Sequence, residues 1–260
     1  MHLKFDAGRV LSEEGETLMT ESNRIALVTG ASRGLGLVIA RVLGQRGYGL
    51  VIGGRDRDAL AAAAGELSAC APAVLPVAGD ITDAQVRANM IDAARHLGGL
   101  NVLVNNASQL GAIGPLMAFD VPRFGQLFPV NVGAPMVLTQ LAVPLLSERR
   151  GLIVNITSDA ATAAYPGWGP YGATKAAFEL LTRTLASELR EQGVSAVLVD
   201  PGDMRTRMHQ EAFPGQDVSD RPLPEVTVPF WKWLFDQDPE AVRAERFAAQ
   251  HEDARWLQQV

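Results

Sequence analysis

From Arg24 onward, short apolar runs rich in β-branched residues alternate with longer stretches whose apolar positions recur every three or four residues. The runs lie at 24–29 (RIALVT), 49–53, 73–78, 100–105, 151–157, 194–199 and about 246–250. They are nearly continuous rather than alternating, as strands buried on both faces are. The periodic stretches predict helices at about 35–46, 56–69, 83–97, 120–148, 171–192 and 224–235. Pro129, Pro135 and Pro144 fall inside the fourth, so a break or kink is expected there. Strand alternating with helix predicts an α/β fold: a doubly wound, seven-stranded, mainly parallel sheet with helices on both faces.

Nothing in the composition divides the 260 residues. No Gly/Ser/Pro linker and no internal repeat separates two halves, so 23–260 reads as one domain and 1–22 as an extension outside it. The extension sets Lys4 and Arg9 against five acids and lacks the apolar segment of a secretory signal, and Met19 leaves residues 1–18 readable as a leader, a mis-assigned start or a disordered arm. No stretch reads as long enough in apolar residues for a membrane span, and the cytoplasm is the expected location. Segment 202–222 has no clean period and reads as a mobile loop. A net charge of −6 without a basic patch argues against a nucleic-acid partner. The single Cys70 forms no internal disulfide and reads as a structural thiol. His2, His96, His209 and His251 lack ligand spacing, so no metal is expected, and His209 is read as a surface residue, with contact to substrate as the alternative.

The first strand runs directly into Thr29-Gly30-Ala31-Ser32-Arg33-Gly34-Leu35-Gly36 and then into a helix. Gly30 permits a tight turn, Gly34 lets backbone approach a pyrophosphate, and Gly36 lets helix and strand pack closely. The helix start offers free N–H groups and the positive end of its dipole to phosphate.

This G-x-x-x-G-x-G spacing resembles the cofactor turn of the short-chain dehydrogenase/reductase family, and further landmarks of that family follow in order. Asp80-Ile81 follows the third strand, where the family holds adenine. Asn105-Asn106-Ala107 ends the fourth, with Ser108 where glycine is usual. Asn131 stands at the family's structural and catalytic asparagine. Ser158 ends the fifth strand thirteen residues before Tyr171, and Tyr171-Gly-Ala-Thr-Lys175 matches Y-x-x-x-K. Pro201-Gly202, followed by Thr206, matches the turn that meets the nicotinamide. The likeness covers about 24–250. It implies a Rossmann-type fold, a nicotinamide cofactor held by Gly30, Ser32, Arg33, Gly34, Leu35, Gly36, Arg55, Asp80, Ile81, Asn106, Ala107, Tyr171, Lys175, Pro201, Gly202 and Thr206, and a catalytic set of Asn131, Ser158, Tyr171 and Lys175. It also implies a homodimer or homotetramer, with the helices near 120–148, 171–192 and 224–235 and the last strand at the contacts; the aromatic wealth of Phe230, Trp231, Trp233 and Phe235 suits such an interface.

The residue chemistry agrees with that resemblance. Tyr171 and Lys175, four apart on a helix, project from one face, and a nearby cation is expected to pull the phenol pKa down toward neutrality. Ser158 would hydrogen-bond the reacting oxygen, with the adjacent Thr157 as a less well-spaced alternative. In the family's pattern Lys175 also holds the nicotinamide ribose, and Asn131 interrupts its helix and seats a water joining Lys175 to solvent. At the end of the second strand Gly54 stands where an NAD enzyme carries an acid, and Arg55 offers a donor fork to a 2′-phosphate. Arg33 is a second such cation. NADP(H) is therefore the expected cofactor, unless Arg55 is occupied by Asp56 or Asp58. Trp168, Met204, Met208 and Phe213 are candidates for an apolar substrate wall, or for a loop packing on itself. The expected activity is interconversion of a carbonyl and an alcohol on a small-molecule substrate. The alternative is a catalytically silent NADP-binding sensor or scaffold.

Overall fold

β1 (Ile25–Thr29) is buried at every position and has a neighbour on each side, β2 (Gly49–Gly54) and β4 (Val102–Asn105). With β3 (Val74–Ala78), β5 (Leu152–Ile156), β6 (Ser195–Asp200) and β7 (Arg246–Ala248) it makes one sheet of order β3-β2-β1-β4-β5-β6-β7. Every pairing is parallel. The structure is a computed structural model and describes residues 24–251 and 254–257; the extension 1–22 and the readings made of it lie outside the described residues. Strand order reverses between β1 and β4, so the strand ends diverge there and open a crevice at the carboxyl edge. β3 departs from the expected two-sided burial. It is an edge strand, half-buried except at the exposed Pro76, and an edge tolerates this proline, which has no N–H to give a neighbour.

The helices that cover the sheet are α1 (Gly34–Gln45), α2 (Arg57–Leu67), α3 (Ala84–Leu97), α4 (Val121–Gly125), α5 (Ala134–Ser147), α6 (Gly169–Glu188), α7 (Arg207–Ala212), α8 (Val228–Leu234) and α9 (Ala254–Leu257). The stretch expected as one helix at 120–148 is three pieces: α4, a π turn at Pro129–Gly133 and α5. Pro129 and Pro135 mark the breaks, whereas Pro144 sits within α5 without ending it. Taken together, Pro122–Ser147 is long and apolar enough to cross a membrane by composition, contrary to the sequence reading; half of its most apolar window is buried, as in the core helix of a folded domain. Segment 202–222 is likewise not irregular throughout, since it contains α7.

The aromatic residues of α8 are absorbed within the chain. Phe230, Trp231, Trp233 and Phe235 are buried with Phe247 and Trp256, and ring centroids of Phe230 and Trp256 lie 5.1 Å apart, edge to face. The Trp231 indole donates to Thr227 Oγ1 at 2.8 Å, which satisfies its one polar atom. These residues build a core under α1 and β7 and leave little surface for the interface expected of them.

Candidate active site

The turn after β1 is shaped by what cannot fit there. Gly30 and Gly34 have φ of +67° and +57°, and a Cβ on Gly36 would stand 2.2 Å from the Gly30 carbonyl oxygen. Thr29 Oγ1 accepts from the Asn106 and Ala107 N–H groups at 3.0 Å each, and Asn106 Nδ2 donates to the carbonyls of Thr29 and Gly30 at 2.9 and 3.1 Å. The ends of β1 and β4 are thus tied by side chains, each bonding the other strand's backbone. α2 and α3 begin with aspartates that cap them, Asp56 to Ala59 N and Asp83 to Gln85 N. α1 begins at Arg33 with no side-chain cap and no acid in its first turn. Its opening N–H groups are left to a ligand, and an anion is what that helix end favours.

An open cleft of about 1110 Å³ runs from this turn across the carboxyl edge of the sheet. Ser32, Arg55, Asp80, Ile81, Ala107, Ser158, Tyr171, Lys175, Pro201, Gly202 and Thr206 all line it. The Asp80 carboxylate is fixed by Thr82, accepting from its N–H and its hydroxyl, and these bonds hold its pKa below the usual range. Arg55 is exposed, and Asp56, one of the two acids that could have occupied it, is paired with Arg33 at 2.6 Å. Asp56 is turned that way because it already caps α2. Thr206 Oγ1 accepts from His209 N and caps α7.

Tyr171 and Lys175 do share a face of α6, both buried, with Lys175 Nζ 5.6 Å from the centre of the Tyr171 ring. Lys175 donates to the Ile156 carbonyl at 2.9 Å. Burial is the main influence on both groups: it pushes the phenol up and the lysine down to about 8. The phenol therefore lies above its ordinary value rather than below it as expected, because burial dominates; the Lys175 ammonium is directed at the Ile156 carbonyl. Two hydroxyls act the other way on the phenol, Ser158 and Ser108, while the carboxylates Asp200 and Asp159 raise it further. Thr157 is not the competing hydroxyl, since it is buried and donates to Glu179 at 2.9 Å.

Asn131 does interrupt its helix, at the π turn. Its amide is fully engaged by protein: Oδ1 accepts from Gln109 N at 2.8 Å and Ser108 Oγ at 3.1 Å, and Nδ2 donates to the Gln109 carbonyl at 2.8 Å and Thr174 Oγ1 at 3.0 Å. The side chain thus ties the 108–109 segment to α6 through Thr174.

Trp168, Met208 and Phe213 gather with Leu110 and Ala212 against Tyr171, with the Trp168 and Tyr171 rings 5.9 Å apart and Trp168 and Phe213 6.1 Å apart. They line one side of the cleft and pack on one another. Met204 also lines the cleft, and it packs into the core cluster that α1 and α8 share. His209 is not a surface residue: its side chain is 10% exposed, its ring lies 5.1 Å from Phe213, and its Nε2 is buried without a partner.

Residues that sequence reasoning passed over complete the site. Asp159 accepts from Ser158 Oγ at 2.9 Å and from the Tyr165 hydroxyl at 2.6 Å. Arg246 bridges buried Glu179 and Asp200 under the catalytic face. Gln250 donates to the carbonyls of Pro201 and Asp203 at 2.9 and 2.7 Å and so pins the start of the substrate segment. Only the position of Asp159, directly after Ser158, signalled any of these in advance.

The comparisons agree with the geometry. Residues 24–217 match the family model for short chain dehydrogenases. The chain belongs to the short-chain dehydrogenase/reductase family. It is 36% identical, over 72% of its length and 70% of the relative's, to 1-deoxy-11-beta-hydroxypentalenate dehydrogenase of Streptomyces exfoliatus. A short chain dehydrogenase structure from Pseudomonas syringae superposes with a TM-score of 0.82 at 33% identity, covering 87% of this chain and 94% of that one. A short chain dehydrogenase from Shigella flexneri, solved in complex with NADP, superposes at 0.80 with 26% identity, covering 88% and 98%. The protein is an oxidoreductase of a family that uses nicotinamide cofactors.

Proposed function

We propose that this oxidoreductase is NADP(H)-dependent and interconverts a carbonyl and an alcohol, with Tyr171 as general acid and base. The observation that carries the reading is the meeting, in one cleft, of an uncapped α1 N-terminus and the Ser158, Tyr171 and Lys175 group. The glycine turn fits a dinucleotide, since the missing Cβ of Gly36 lets α1 pack against the Gly30 turn, while at Gly34 only Thr206 stands near the space a Cβ would take. When bound, the nicotinamide supplies or takes the hydride. The pyrophosphate would rest on residues 30–36, the adenine by Asp80 and Ile81, and the ribose by Tyr171 and Lys175. In the reducing direction Tyr171 gives its proton to the substrate oxygen as negative charge gathers there, and Ser158 holds that oxygen in place. Lys175, with a pKa near 8, is largely protonated at neutral pH and favours the phenolate that remains. Trp168, Met208 and Phe213 offer the substrate an apolar, partly aromatic side.

Preference for NADP(H) rests on Gly54 and Arg55. An acid at 54 would repel the 2′-phosphate, and none is present. Arg55 is exposed, and the Arg33–Asp56 pair, 42% and 52% exposed, is a weak surface pair screened by solvent, so Arg33 is readily released to a phosphate. The NADP complex of the Shigella flexneri relative supports the same choice. A homodimer or homotetramer belongs to this reading, supported by Val137 and Leu141 on α5 and Leu180 on α6, which are exposed. The test is a screen of ketones, aldehydes and alcohols following NADPH and NADH absorbance. NADPH should be preferred at least about tenfold in kcat/KM, and Arg55→Ala should remove most of that margin by raising KM for NADPH alone. Equal use of NADH by the unaltered protein would refute the cofactor choice.

A further inference from the structure

The carboxylates at and beneath the catalytic end of the cleft differ in what balances them. Glu179 and Asp200 are paired with Arg246, and Asp203 lies 3.6 Å from Arg221. Asp159 is held by hydroxyls instead: Oδ1 accepts from Ser158 Oγ at 2.9 Å and Oδ2 from the Tyr165 hydroxyl at 2.6 Å, and no cation among the described residues forms an ion pair with it. It is exposed in the cleft that Ser158, Tyr165 and Tyr171 also line. An ionised carboxylate has roughly four acceptor positions, so about two are left for a ligand.

Ser158 carries one proton, and that proton is directed at Asp159. Holding a substrate oxygen requires it to turn, which takes a donor away from Asp159 Oδ1. A donor carried by the substrate on the neighbouring carbon would replace it. The 2.9 Å from Ser158 Oγ to Asp159 Oδ1 is about the spacing between a carbonyl oxygen and an adjacent hydroxyl oxygen, so the two groups of such a substrate can meet the two side chains in parallel.

We propose that Asp159 is a specificity-determining residue that accepts a hydrogen bond from a hydroxyl on the carbon next to the reacting one, making 1,2-hydroxyketones, and 1,2-diols in the oxidising direction, the substrate class. The proposal rests on the carbonyl and alcohol chemistry assigned above and on Ser158 holding the reacting oxygen. Hydride and proton are exchanged only at the reacting carbon and its oxygen; the neighbouring hydroxyl is not oxidised, and Asp159 stays a carboxylate throughout. A hydroxyl donating to a carboxylate makes a charge-assisted bond, roughly twice as strong as one between neutral groups. The same charge repels a carboxylate on the neighbouring carbon, so 2-oxo acids are disfavoured. Trp168 and Phe213 offer an aryl substituent an aromatic surface.

The experiment measures kcat/KM at saturating NADPH for 2-hydroxyacetophenone, 2-methoxyacetophenone, acetophenone and phenylglyoxylate, in the unaltered protein and in Asp159→Asn and Asp159→Ala. The methoxy compound keeps the electron-withdrawing oxygen and lacks its proton, so the hydroxy-to-methoxy ratio reports the donor. That ratio should be at least about tenfold in the unaltered protein, about threefold in Asp159→Asn, which keeps an acceptor without the charge, and near one in Asp159→Ala. Phenylglyoxylate, relative to acetophenone, should improve about tenfold in both variants. A residue that merely steadied Ser158 would, when replaced, slow all four ketones together and leave the ratios unmoved. A hydroxy-to-methoxy ratio near one in the unaltered protein, or one that persists in Asp159→Ala, overturns the proposal while ketone reduction itself leaves the reaction class standing. Absence of turnover with all four ketones and with 1-phenyl-1,2-ethanediol and NADP, in protein that binds NADPH by fluorescence titration, would overturn the reaction class and the proposal with it.

Discussion

The two ends of the cleft are made of different material. At the cofactor end, β1, the glycine turn and α1 meet by main chain: Gly36 abuts the Gly30 carbonyl, and Thr29 and Asn106 bond the neighbouring strand's backbone. At the substrate end, the wall is side chains on short pieces, with Trp168 at the mouth of α6 and Met208 and Phe213 on and just after the six-residue α7. A backbone site binds what all members of a family share and tolerates few substitutions. A side-chain site can be changed residue by residue without loss of fold, and that is where members of such a family part company.

The comparison is tested hardest where the ends meet. Tyr171→Phe should lower turnover at least about a hundredfold while NADPH affinity, measured by fluorescence titration, stays within a few-fold, because only the transferred proton is removed. At the backbone end Gly36→Ala drives a methyl to 2.2 Å from a carbonyl oxygen, which must move. Its NADPH affinity should fall about tenfold or more, and calorimetric melting should drop several degrees, as overpacking by roughly 1–3 kcal/mol predicts. At the side-chain end Trp168→Ala should leave melting and NADPH affinity nearly unchanged and raise KM for aryl ketones only a few-fold, read from initial rates. An equally large loss of cofactor binding in Trp168→Ala would erase the distinction between the ends. The smallest effect expected is one of pH. Burial holds Lys175 near 8 in the folded state against 10.5 when unfolded, so between those values the unfolded chain carries the extra proton and stability from this group rises with pH. Relative to Lys175→Met, the unaltered protein should gain a few degrees of melting temperature from pH 8 to 10; above that, the raised Tyr171 opposes the gain by keeping its proton only when folded.

The same division decided what was legible in the chain. The glycine turn and the Tyr171–Lys175 face are local: their geometry follows from spacing within one turn or one helix, and seven strands could be read because apolar runs have to match a buried sheet. What escaped depends on segments far apart in sequence. The Asn131 amide is engaged by Gln109 and Thr174, so no pattern around 131 reveals which segments it ties together. The aromatic residues of α8 looked like surplus because Trp256, which helps bury them, lies beyond the last strand. The direction of the Tyr171 shift was misjudged for a related reason: spacing gives the cation's neighbourhood, while burial comes from everything packed around it.

Gln250 gives the fold a built-in order of completion. It is the residue that grips the carbonyls of Pro201 and Asp203, and it is made after every strand of the sheet. During synthesis, which proceeds from the N-terminus at about 5–20 residues per second, the phosphate turn leaves the ribosome early and this clasp emerges last. A chain cut short near residue 245 loses this clasp together with β7, Phe247 and Trp256, so the cleft's floor and the aromatic core beneath α1 are completed by the same last stretch of chain.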